Sequence, residues 1–458
     1  MLTYELKKSP GVPLYEALYR CIRADILSGS LAADTKLPSK RALAQNLEVS
    51  KITVEAAYNQ LLSEGYIRSQ EKVGYFVEKV ARPAQSQPVE TPKIQPRSRE
   101  YLLDLTSNGT EQFPFSVWSK LQREVMLDYG EKLLLPLPNQ GIPELRQAIA
   151  EHLAAFRGMH VDPENILIGA GTDFLYNLLI QLLGRDKIYA VEEPGYGKIR
   201  KIYGAGGVRC ISAPMDSRGV RPDRLSDAQV LHFSPSHHFP TGLITPVSRR
   251  AELLAWAVQN DGYIIEDDYD SEFRYASRPI PAMQSLDDGG KVIYVGTFSR
   301  SIAPSIRVAY LVLPRRLLPV YEQRLGFAAS TVSRFEQQTL AAFLQRGLYG
   351  RHLRRAANLY RKKQQILLEE LAKIPGAQVW GAQAGLHFLL TVPGKSEEWL
   401  VAQAAKAGVP VRGLSSYCRE CDCPESTLVL GFAGLQLEDI PAAAQTLREA
   451  FEDKIQNS

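Results

Sequence analysis

The first 78 residues repeat apolar side chains at helical spacing. Leucine or isoleucine stands at positions 14, 18, 22 and 26, and this four-residue interval predicts a helix with one buried stripe. Ser39 and Ser50 can each cap a further helix. The helix after Ser50 has its predicted inward face at intervals of three and four residues, at Val54, Ala57, Tyr58, Leu61 and Leu62. The segment EGYIRSQEKVGYFV then predicts two short strands about a turn near Lys72 to Gly74.

The pattern beyond residue 104 is different, because short apolar runs alternate there with helical stretches. The run NILIGAGTDFLYNLLIQLL, for example, predicts a strand, a glycine turn and a helix. Other apolar runs also end in polar or glycine-rich segments. This alternation predicts an α/β fold with a mainly parallel central sheet, whereas the first 78 residues predict a winged helix-turn-helix.

A proline-rich segment separates the two patterns. Between residues 79 and 99 prolines stand at 83, 88, 92 and 96, with few apolar residues among them. Such a composition favours a semi-extended linker over a folded element. We therefore predict a head over residues 1–78, a linker over 79–103 and a body over 104–458.

Composition excludes several classes of protein. The 458 residues include no apolar run of the ~20 residues that a membrane span needs, and residues 1–10 have no signal-peptide core. A cytoplasmic protein is expected. The net charge of +4 is small, so any contact with nucleic acid must come from a local basic patch.

Five cysteines in a chain of this length do not make a disulfide framework. Three of them cluster as CRECDC, at Cys418, Cys421 and Cys423. One interpretation is a metal or redox site and the other is a thiol-rich surface loop. Three thiolates leave a tetrahedral metal one ligand short, and no histidine lies nearby in the sequence, so no metal site is predicted.

The head carries short hydroxyls and cations where a recognition helix would meet DNA. Ser50, Lys51 and Thr53 stand at the start of the third predicted helix, and Lys40 and Arg41 open the second. Such residues suit phosphates and base edges in a major groove. A winged helix that binds protein is the alternative.

The segment LPSKRALAQNLEVSKITVEAAYNQLLSEGYIRSQEKVGYFV resembles the winged-helix head of GntR-type regulators. That family has the pattern LPS-x-R-x-LA, then S-x-x-TV, then LxxEGY and a wing that ends in FV. The resemblance implies contacts to double-stranded promoter DNA from Ser39, Arg41, Ser50, Lys51 and Thr53. The chain departs from the family at the wing tip, where Lys72 replaces a second glycine.

In the body, several apolar runs end in residues that suit a phosphorylated ring. Ligands in open α/β sheets bind at the carboxyl ends of the strands, so these residues are expected to meet in one crevice. A glycine turn at Gly171 opens a helix whose amides can hold an anion, and Tyr196 offers an aromatic face. Asp267 and Tyr269 offer a carboxylate and a phenol. A phosphorylated heteroaromatic ring with a basic nitrogen would use all of these groups.

That combination resembles the fold-type I aminotransferases, which depend on pyridoxal phosphate. The whole chain, with both domains, resembles the MocR/GabR-type transcription regulators. The implied fold is an N-terminal winged helix-turn-helix followed by an aminotransferase-like α/β domain with a mainly parallel sheet and a smaller C-terminal α+β subdomain. The implied cofactor-binding residues are Gly171, Thr172, Tyr196, His237, Asp267, Tyr269, Thr297, Ser299, Arg300 and Arg307.

Within that set the resemblance places Asp267 at the pyridine nitrogen and Tyr269 at the ring hydroxyl. Tyr196 stacks on the ring. His237 stands near the ring-binding asparagine of the motif NPxNPTG, although a strict match on PTG would put Phe239 there. His238 is interpreted as a solvated side chain.

Arg300 stands where the family has its Schiff-base lysine, directly after GTFS. A guanidinium stays charged and has no free amine that could bond to the cofactor aldehyde or move a proton. The family also binds an amino-acid carboxylate through a C-terminal arginine in R-x-x-F, and here Val429 stands at about that place. Lys198 and Arg412 are the candidate replacements for that carboxylate-binding arginine. No catalytic residue and no transaminase activity are therefore predicted.

Three functions remain open from the sequence. The first is a DNA-binding regulator whose body binds pyridoxal phosphate, or a pyridoxal–amino-acid adduct, without a covalent bond. The second is a regulator whose body is a cofactor-free scaffold, and the third is a residual aminotransferase. The resemblance further implies a head-to-tail homodimer and a small-molecule effector related to vitamin B6 or amino acids.

Overall fold

The computed structural model describes residues 2–4, 6, 13–80, 113–275, 280–420 and 424–452. The chain divides into two compact units, Met1–Ser98 and Arg99–Ser458. The predicted linker, residues 79–103, lies outside the described residues except for Lys79 and Val80, so its conformation stays a prediction.

The first unit is a winged helix-turn-helix, as predicted. Its elements are α1 (Leu14–Ser28), α2 (Lys40–Asn46), α3 (Lys51–Ser63), β1 (Ile67–Gln70) and β2 (Gly74–Val77). The two predicted caps form, because the side chain of Ser39 accepts from the amide of Ala42 and that of Ser50 accepts from the amide of Thr53. The apolar stripe of α1 packs with α3 in one buried cluster.

The wing of this unit has an unusual backbone at its tip. The strands β1 and β2 pair antiparallel, with Gln70 opposite Gly74. Lys72, between them, has a φ of 59°, a left-handed conformation that glycine adopts at less cost. This conformation explains why a glycine would suit the position that Lys72 occupies.

The second unit contains a large sheet with helices on it and a smaller C-terminal sheet. Its helices are α4 (Phe115–Tyr129), α5 (Pro143–Arg157), α6 (Thr172–Leu183), α7 (Gly197–Ala205), α8 (Val247–Gln259), α9 (Leu318–Leu325), α10 (Arg334–Gln345), α11 (Leu348–Leu371), α12 (Glu397–Lys406) and α13 (Ile440–Phe451). Its strands are β3 (Ile166–Gly169), β4 (Ile188–Glu193), β5 (Arg209–Asp216), β6 (Gly219–Val220), β7 (Val230–Phe233), β8 (Tyr263–Asp268), β9 (Val292–Thr297), β10 (Ala309–Val312), β11 (Gln378–Trp380), β12 (His387–Thr391), β13 (Arg412–Gly413) and β14 (Thr427–Gly431).

The large sheet has the strand order β3-β10-β9-β8-β7-β4-β5-β6. Strands β5, β4, β7, β8 and β9 are parallel neighbours, whereas β10 runs antiparallel to both β3 and β9. Parallel strands are covered on both faces and therefore consist of nearly continuous apolar runs. The wholly buried parallel strands β7 and β9 meet that requirement.

The small sheet has the order β11-β12-β14-β13 and is antiparallel throughout. Helices α11, α12 and α13 share its apolar core. The predicted fold class, including the mainly parallel sheet and the C-terminal α+β subdomain, is therefore confirmed. Within the described residues, no helix is both long and apolar enough to cross a membrane.

Candidate functional site

A cavity of about 700 Å³ opens at the carboxyl ends of β3, β4, β7, β8 and β9. The predicted residues that line it are Thr172, Tyr196, Asp267, Tyr269, Thr297, Ser299, Arg300 and Arg307. The structure thus brings residues from 172 to 307 into one crevice, because parallel strands end at the same edge of the sheet. Gly171 and His237, also predicted, do not line the cavity but adjoin the lining residues Arg307 and Tyr269, respectively.

Gly171 supports the cavity through its lack of a side chain. It precedes α6 with a φ of 86°, and a Cβ atom there would lie 2.6 Å from Nη2 of Arg307. Arg307 itself has a φ of 49° and contacts the carboxylate of Asp173 at 3.5 Å. The two backbone conformations together bring a guanidinium onto the start of α6, beside the free amides of the helix end.

The carboxylate of Asp267 is held from one side only. Its Oδ2 accepts from the hydroxyl of Tyr176 at 2.6 Å and lies 3.3 Å from Nε2 of His232. The other ring nitrogen of His232 lies 2.6 Å from the hydroxyl of Tyr203. The remaining oxygen, Oδ1 of Asp267, is buried and has no hydrogen-bond partner within the described residues.

Sequence reasoning missed Tyr176 and His232. Both line the cavity, and both contact the carboxylate of Asp267, which the sequence had indicated. One signal was present, since His232 is a polar residue inside the apolar strand β7. Tyr176 lies on the face of α6 one turn after Thr172, but helical spacing alone does not distinguish this tyrosine from a core residue.

The turn after β9 carries two groups that are available to an anion. The amide of Ser299 donates to Oγ1 of Thr297 at 3.1 Å, while Oγ of Ser299 is buried without a partner in the described residues. Arg300 is half-buried and makes no hydrogen bond or ion pair with any described residue. Its charge opposes the rise in the pKa of Tyr269, which burial and Asp270 drive well above the ordinary range.

The segment SPSHHFP contributes Phe239, and not the predicted His237, to the lining of the cavity. Phe239 lines the cavity, whereas His237 lies behind it, with Nδ1 3.3 Å from the hydroxyl of Tyr269. The interpretation of His238 as solvated is wrong, because it is only 1% exposed. Its Nε2 donates to the carbonyl of Pro194 and its Nδ1 accepts from the hydroxyl of Thr241.

The aromatic wall of the cavity is formed by Tyr196 and Phe239. Their rings meet edge to face, with centroids 5.8 Å apart. Tyr196 lines the cavity and is 48% exposed, so its side chain is accessible to a ligand. Glu192, which sequence reasoning missed, also lines the cavity, and burial raises the pKa of its carboxyl well above the usual range.

The two candidate carboxylate clamps are placed as follows. Lys198 lines the cavity, and its Nζ lies 2.6 Å from Asp173, so its charge is already paired. Arg412 is the strand partner of Val429 in the β13–β14 ladder and is exposed. The side chains of such directly opposed residues share one face of a sheet.

The cysteine-rich segment borders the same cavity. Cys418 lines it and is disulfide-bonded, so its thiolate is not available as a metal ligand. Cys421 and Cys423 lie outside the described residues. Cys21 and Cys210 are free thiols.

The predicted DNA contacts of the head lie at the surface. Ser39, Arg41, Ser50 and Lys51 are exposed, and Thr53 is half-buried. Neither Arg41 nor Lys51 forms a salt bridge with a described residue. Lys40, by contrast, is paired with Glu55 at 2.7 Å. Arg41 and Lys51 therefore present unpaired charge at the starts of α2 and α3.

Comparisons with known proteins divide the chain in the same way. Residues 14–77 match the family described as bacterial regulatory proteins, gntR family, and residues 100–447 match aminotransferase class I and II. The chain is 37% identical to the HTH-type transcriptional regulator YdeL of Bacillus subtilis, over 98% of this chain and 99% of that protein. It is 30% identical to the "probable rhizopine catabolism regulatory protein MocR" of Rhizobium meliloti, over 97% and 95%. The chain belongs to the MocR-type transcriptional regulators.

Two further similarities fit this MocR-type regulator. It is 33% identical to the HTH-type pyridoxine biosynthesis transcriptional regulator PdxR of Corynebacterium glutamicum, over 86% of this chain and 87% of that protein. An archaeal alanine:glyoxylate aminotransferase superposes with a TM-score of 0.69 at 24% identity, over 77% of this chain and 91% of that one. The MocR-type regulator is thus a DNA-binding protein whose second domain has the fold-type I aminotransferase fold.

Proposed function

We propose that this regulator senses pyridoxal phosphate, or a pyridoxal–amino-acid adduct, through reversible, non-covalent binding in the cavity. The observation that carries the proposal is the buried Oδ1 of Asp267, which lacks a partner within the described residues. An unpaired buried carboxylate oxygen is costly unless a ligand donates to it. A protonated pyridine nitrogen is such a donor.

The other lining residues fit the rest of this cofactor. Oγ of Ser299 lacks a partner, and Thr172, Thr297 and Arg307 line the same cavity, so they suit the phosphate group. Tyr269 suits the ring hydroxyl and Tyr196 the ring face. His237 does not contact the ligand itself; it positions the hydroxyl of Tyr269. When bound, pyridoxal phosphate supplies an electron-withdrawing ring and an aldehyde that reacts with amines.

Arg300 makes the proposed role that of a sensor. Its guanidinium lies in the cavity without an ion pair among the described residues, so it can donate to a phosphate, an aldehyde oxygen or a carboxylate. A guanidinium has no free amine for a covalent bond and is not a proton shuttle. We therefore infer that this chain has no aminotransferase activity.

The name of the relative PdxR, a regulator of pyridoxine biosynthesis, supports an effector related to vitamin B6. The proposed partners are double-stranded promoter DNA and a second copy of this chain in a head-to-tail homodimer. Ligand binding in the body would then alter DNA binding by the heads, which is a coupling between two distinct sites.

The test is a titration of the purified full chain with pyridoxal phosphate, followed by absorbance, and then borohydride reduction with peptide mass analysis. We expect saturable binding and no adduct at position 300. Arg300→Lys should bind and give a reducible adduct at that position, whereas the exposed control Arg315→Lys should behave as the parent. Failure of both the parent and Arg300→Lys to bind would favour the cofactor-free scaffold.

A further inference from the structure

A second cluster of chemically reactive side chains lies beneath the cavity. It consists of His237 in the segment after β7, Asp270 in the segment after β8, and His387 at the start of β12. All three are buried, with exposures of 3%, 2% and 6%. One ligand atom from each lies within 4.8 Å of the others. None of the three lines the cavity described above.

The carboxylate of Asp270 is hydrogen-bonded by only one side chain among the described residues. Both of its carboxylate oxygens lie 3.0 Å from Nδ1 of His237, and no other described side chain hydrogen-bonds to them. The second ring nitrogen of His237, Nε2, is buried and has no partner among the described residues. Both oxygens of this buried carboxylate thus depend on one imidazole, and the other nitrogen of that imidazole has no partner. Such a polar network is incomplete.

The hydrogen bond to Pro240 holds His387 in the tautomer whose Nδ1 is unprotonated. Its Nε2 lies 3.1 Å from the carbonyl oxygen of Pro240, which can only accept, so Nε2 carries the proton. Nδ1 of His387 is then free to act as a ligand. A backbone carbonyl that holds the second nitrogen of a histidine is the usual outer support of a metal-binding imidazole.

Gly385 makes room for the cluster. Its φ is 71°, and a Cβ atom there would lie 2.0 Å from Cε1 of His237 and 2.6 Å from Oδ2 of Asp270. The chain of the small sheet therefore approaches the large domain closely just two residues before His387. Ligands from both parts of the second unit are brought together at this point.

We propose that His237, Asp270 and His387 bind one first-row divalent cation of the zinc type. Two imidazoles and one carboxylate select such ions over magnesium and calcium, which prefer oxygen ligands alone. In a tetrahedral zinc site the ligand atoms lie about 3.4 Å apart, so His387 closes the remaining gap by a shift on the order of 1 Å. Three protein ligands leave the fourth position to water. The hydroxyl of Tyr269 lies 3.3 Å from Nδ1 of His237, beside the site.

The site would join the small sheet to the large domain and abut the ligand cavity through Tyr269. It does not depend on the proposed binding of pyridoxal phosphate, because metal content is measured without that ligand. The probe is Zn²⁺ added to tag-free, chelator-stripped full chain, and the measure is elemental analysis after removal of free ion. We expect one equivalent of zinc per chain.

Two variants and one control locate the ion. His387→Ala and Asp270→Asn should each weaken zinc binding by at least about 10- to 100-fold, the range seen when even a supporting partner is lost. His160→Ala should retain full binding, because His160 is exposed and lies outside the cluster. Substitution by Co²⁺ should give visible ligand-field bands without the near-ultraviolet thiolate band that cysteine ligands produce.

Three outcomes would overturn the proposal. They are substoichiometric zinc in the parent chain, full zinc retention in both ligand variants, and a thiolate band in the Co²⁺ spectrum, which would assign the ion to cysteine ligands. Each of these results leaves His237 and Asp270 as a hydrogen-bonded pair only. The parent measurement decides the question even if a variant does not fold.

Discussion

The hydroxyl of Tyr176 donates to Oδ2 of Asp267 at 2.6 Å and leaves Oδ1 of the same carboxylate buried and unpartnered within the described residues. His232 lies 3.3 Å from the same Oδ2. Two groups from α6 and β7 therefore fix the plane of the carboxylate before any ligand arrives. A ligand that donates to Oδ1 meets a pre-oriented acceptor and pays little to order it.

Replacement of Asp267 by asparagine should weaken binding of pyridoxal phosphate by roughly 10- to 100-fold, because a charge-assisted hydrogen bond contributes about 1.5–3 kcal/mol. Tyr176→Phe should cost less, about fivefold, since it removes a neutral donor from the side away from the ligand. Absorbance titration measures both. Asp223→Asn is the control, because Asp223 is exposed and ion-paired with Arg221. This variant should bind pyridoxal phosphate as the parent does. Equal affinity of Asp267→Asn and the parent would contradict the assignment.

Gly171→Ala should weaken binding of the phosphorylated ligand selectively. The new Cβ would lie 2.6 Å from Nη2 of Arg307, at a φ of 86° that alanine rarely adopts. We expect at least a tenfold loss for pyridoxal phosphate and little change for pyridoxal, because only the former needs Arg307. Gly350→Ala is the control, since its nearest neighbour would be Nη1 of Arg354 at 3.9 Å. An equal loss for both ligands would indicate general distortion instead.

The sequence predicted those parts of the site that follow directly after a strand. Thr172, Tyr196 and Thr297 stand at or just past strand ends, and a parallel sheet gathers such ends at one edge. Tyr176 and His232 were missed because their role depends on a contact with Asp267, 91 and 35 residues away in the sequence. Hydrophobic periodicity carries no information about such long-range partners.

The dependence on long-range contacts also explains why the position of His238 and the direction of β10 were not predicted. The ring of His238 is hydrogen-bonded to the carbonyl of Pro194, which is 44 residues away, and the neighbouring residues SPSHHFP give no sign of that partner. The alternation of strands and helices predicted a mainly parallel sheet. It did not predict that β10 would enter antiparallel between β3 and β9. Strand order is decided by the packing of whole elements, not by the pattern of any one strand.

Arg41→Ala and Lys51→Ala should each weaken binding to promoter DNA in a gel-shift assay with the full chain. Each unpaired cation that contacts a phosphate contributes about −0.9 to the slope of log affinity against log salt, so the slope should become shallower by about that amount per lost contact. Arg20→Ala is the control, because Arg20 is paired with Glu16 on α1. Unchanged affinity and slope for both head variants would point to a protein-binding role of the winged helix.

The last prediction concerns Glu272, whose carboxyl lies near Asp268 beyond the end of β8. Burial, reinforced by the charge of Asp268, raises the pKa of Glu272 to about 7. The hydroxyl of Tyr349 lies 3.3 Å from its Oε1. In the unfolded chain the pKa of a glutamate is about 4.3. The folded protein therefore binds more protons than the unfolded chain between these two values.

Because the folded state holds the extra proton, the contribution of Glu272 to stability is full below about pH 4, falls as pH rises toward 7, and stays low above that. The shift corresponds to about 1–3 kcal/mol after allowance for partial solvent screening. Glu272→Gln keeps the shape of the neutral acid and should remove this loss. The advantage of the variant over the parent should be small near pH 5 and larger at pH 8.

Urea unfolding followed by tryptophan fluorescence measures this difference in the body alone, because all 4 tryptophans, at positions 118, 256, 380 and 399, lie in the second unit. The free-energy difference between variant and parent should grow from pH 5 to pH 8, and other titrating groups cancel in that difference. Glu131→Gln is the control, since Glu131 is exposed. A difference that stays constant with pH, or that the control reproduces, would show that Glu272 does not hold a proton in the folded protein.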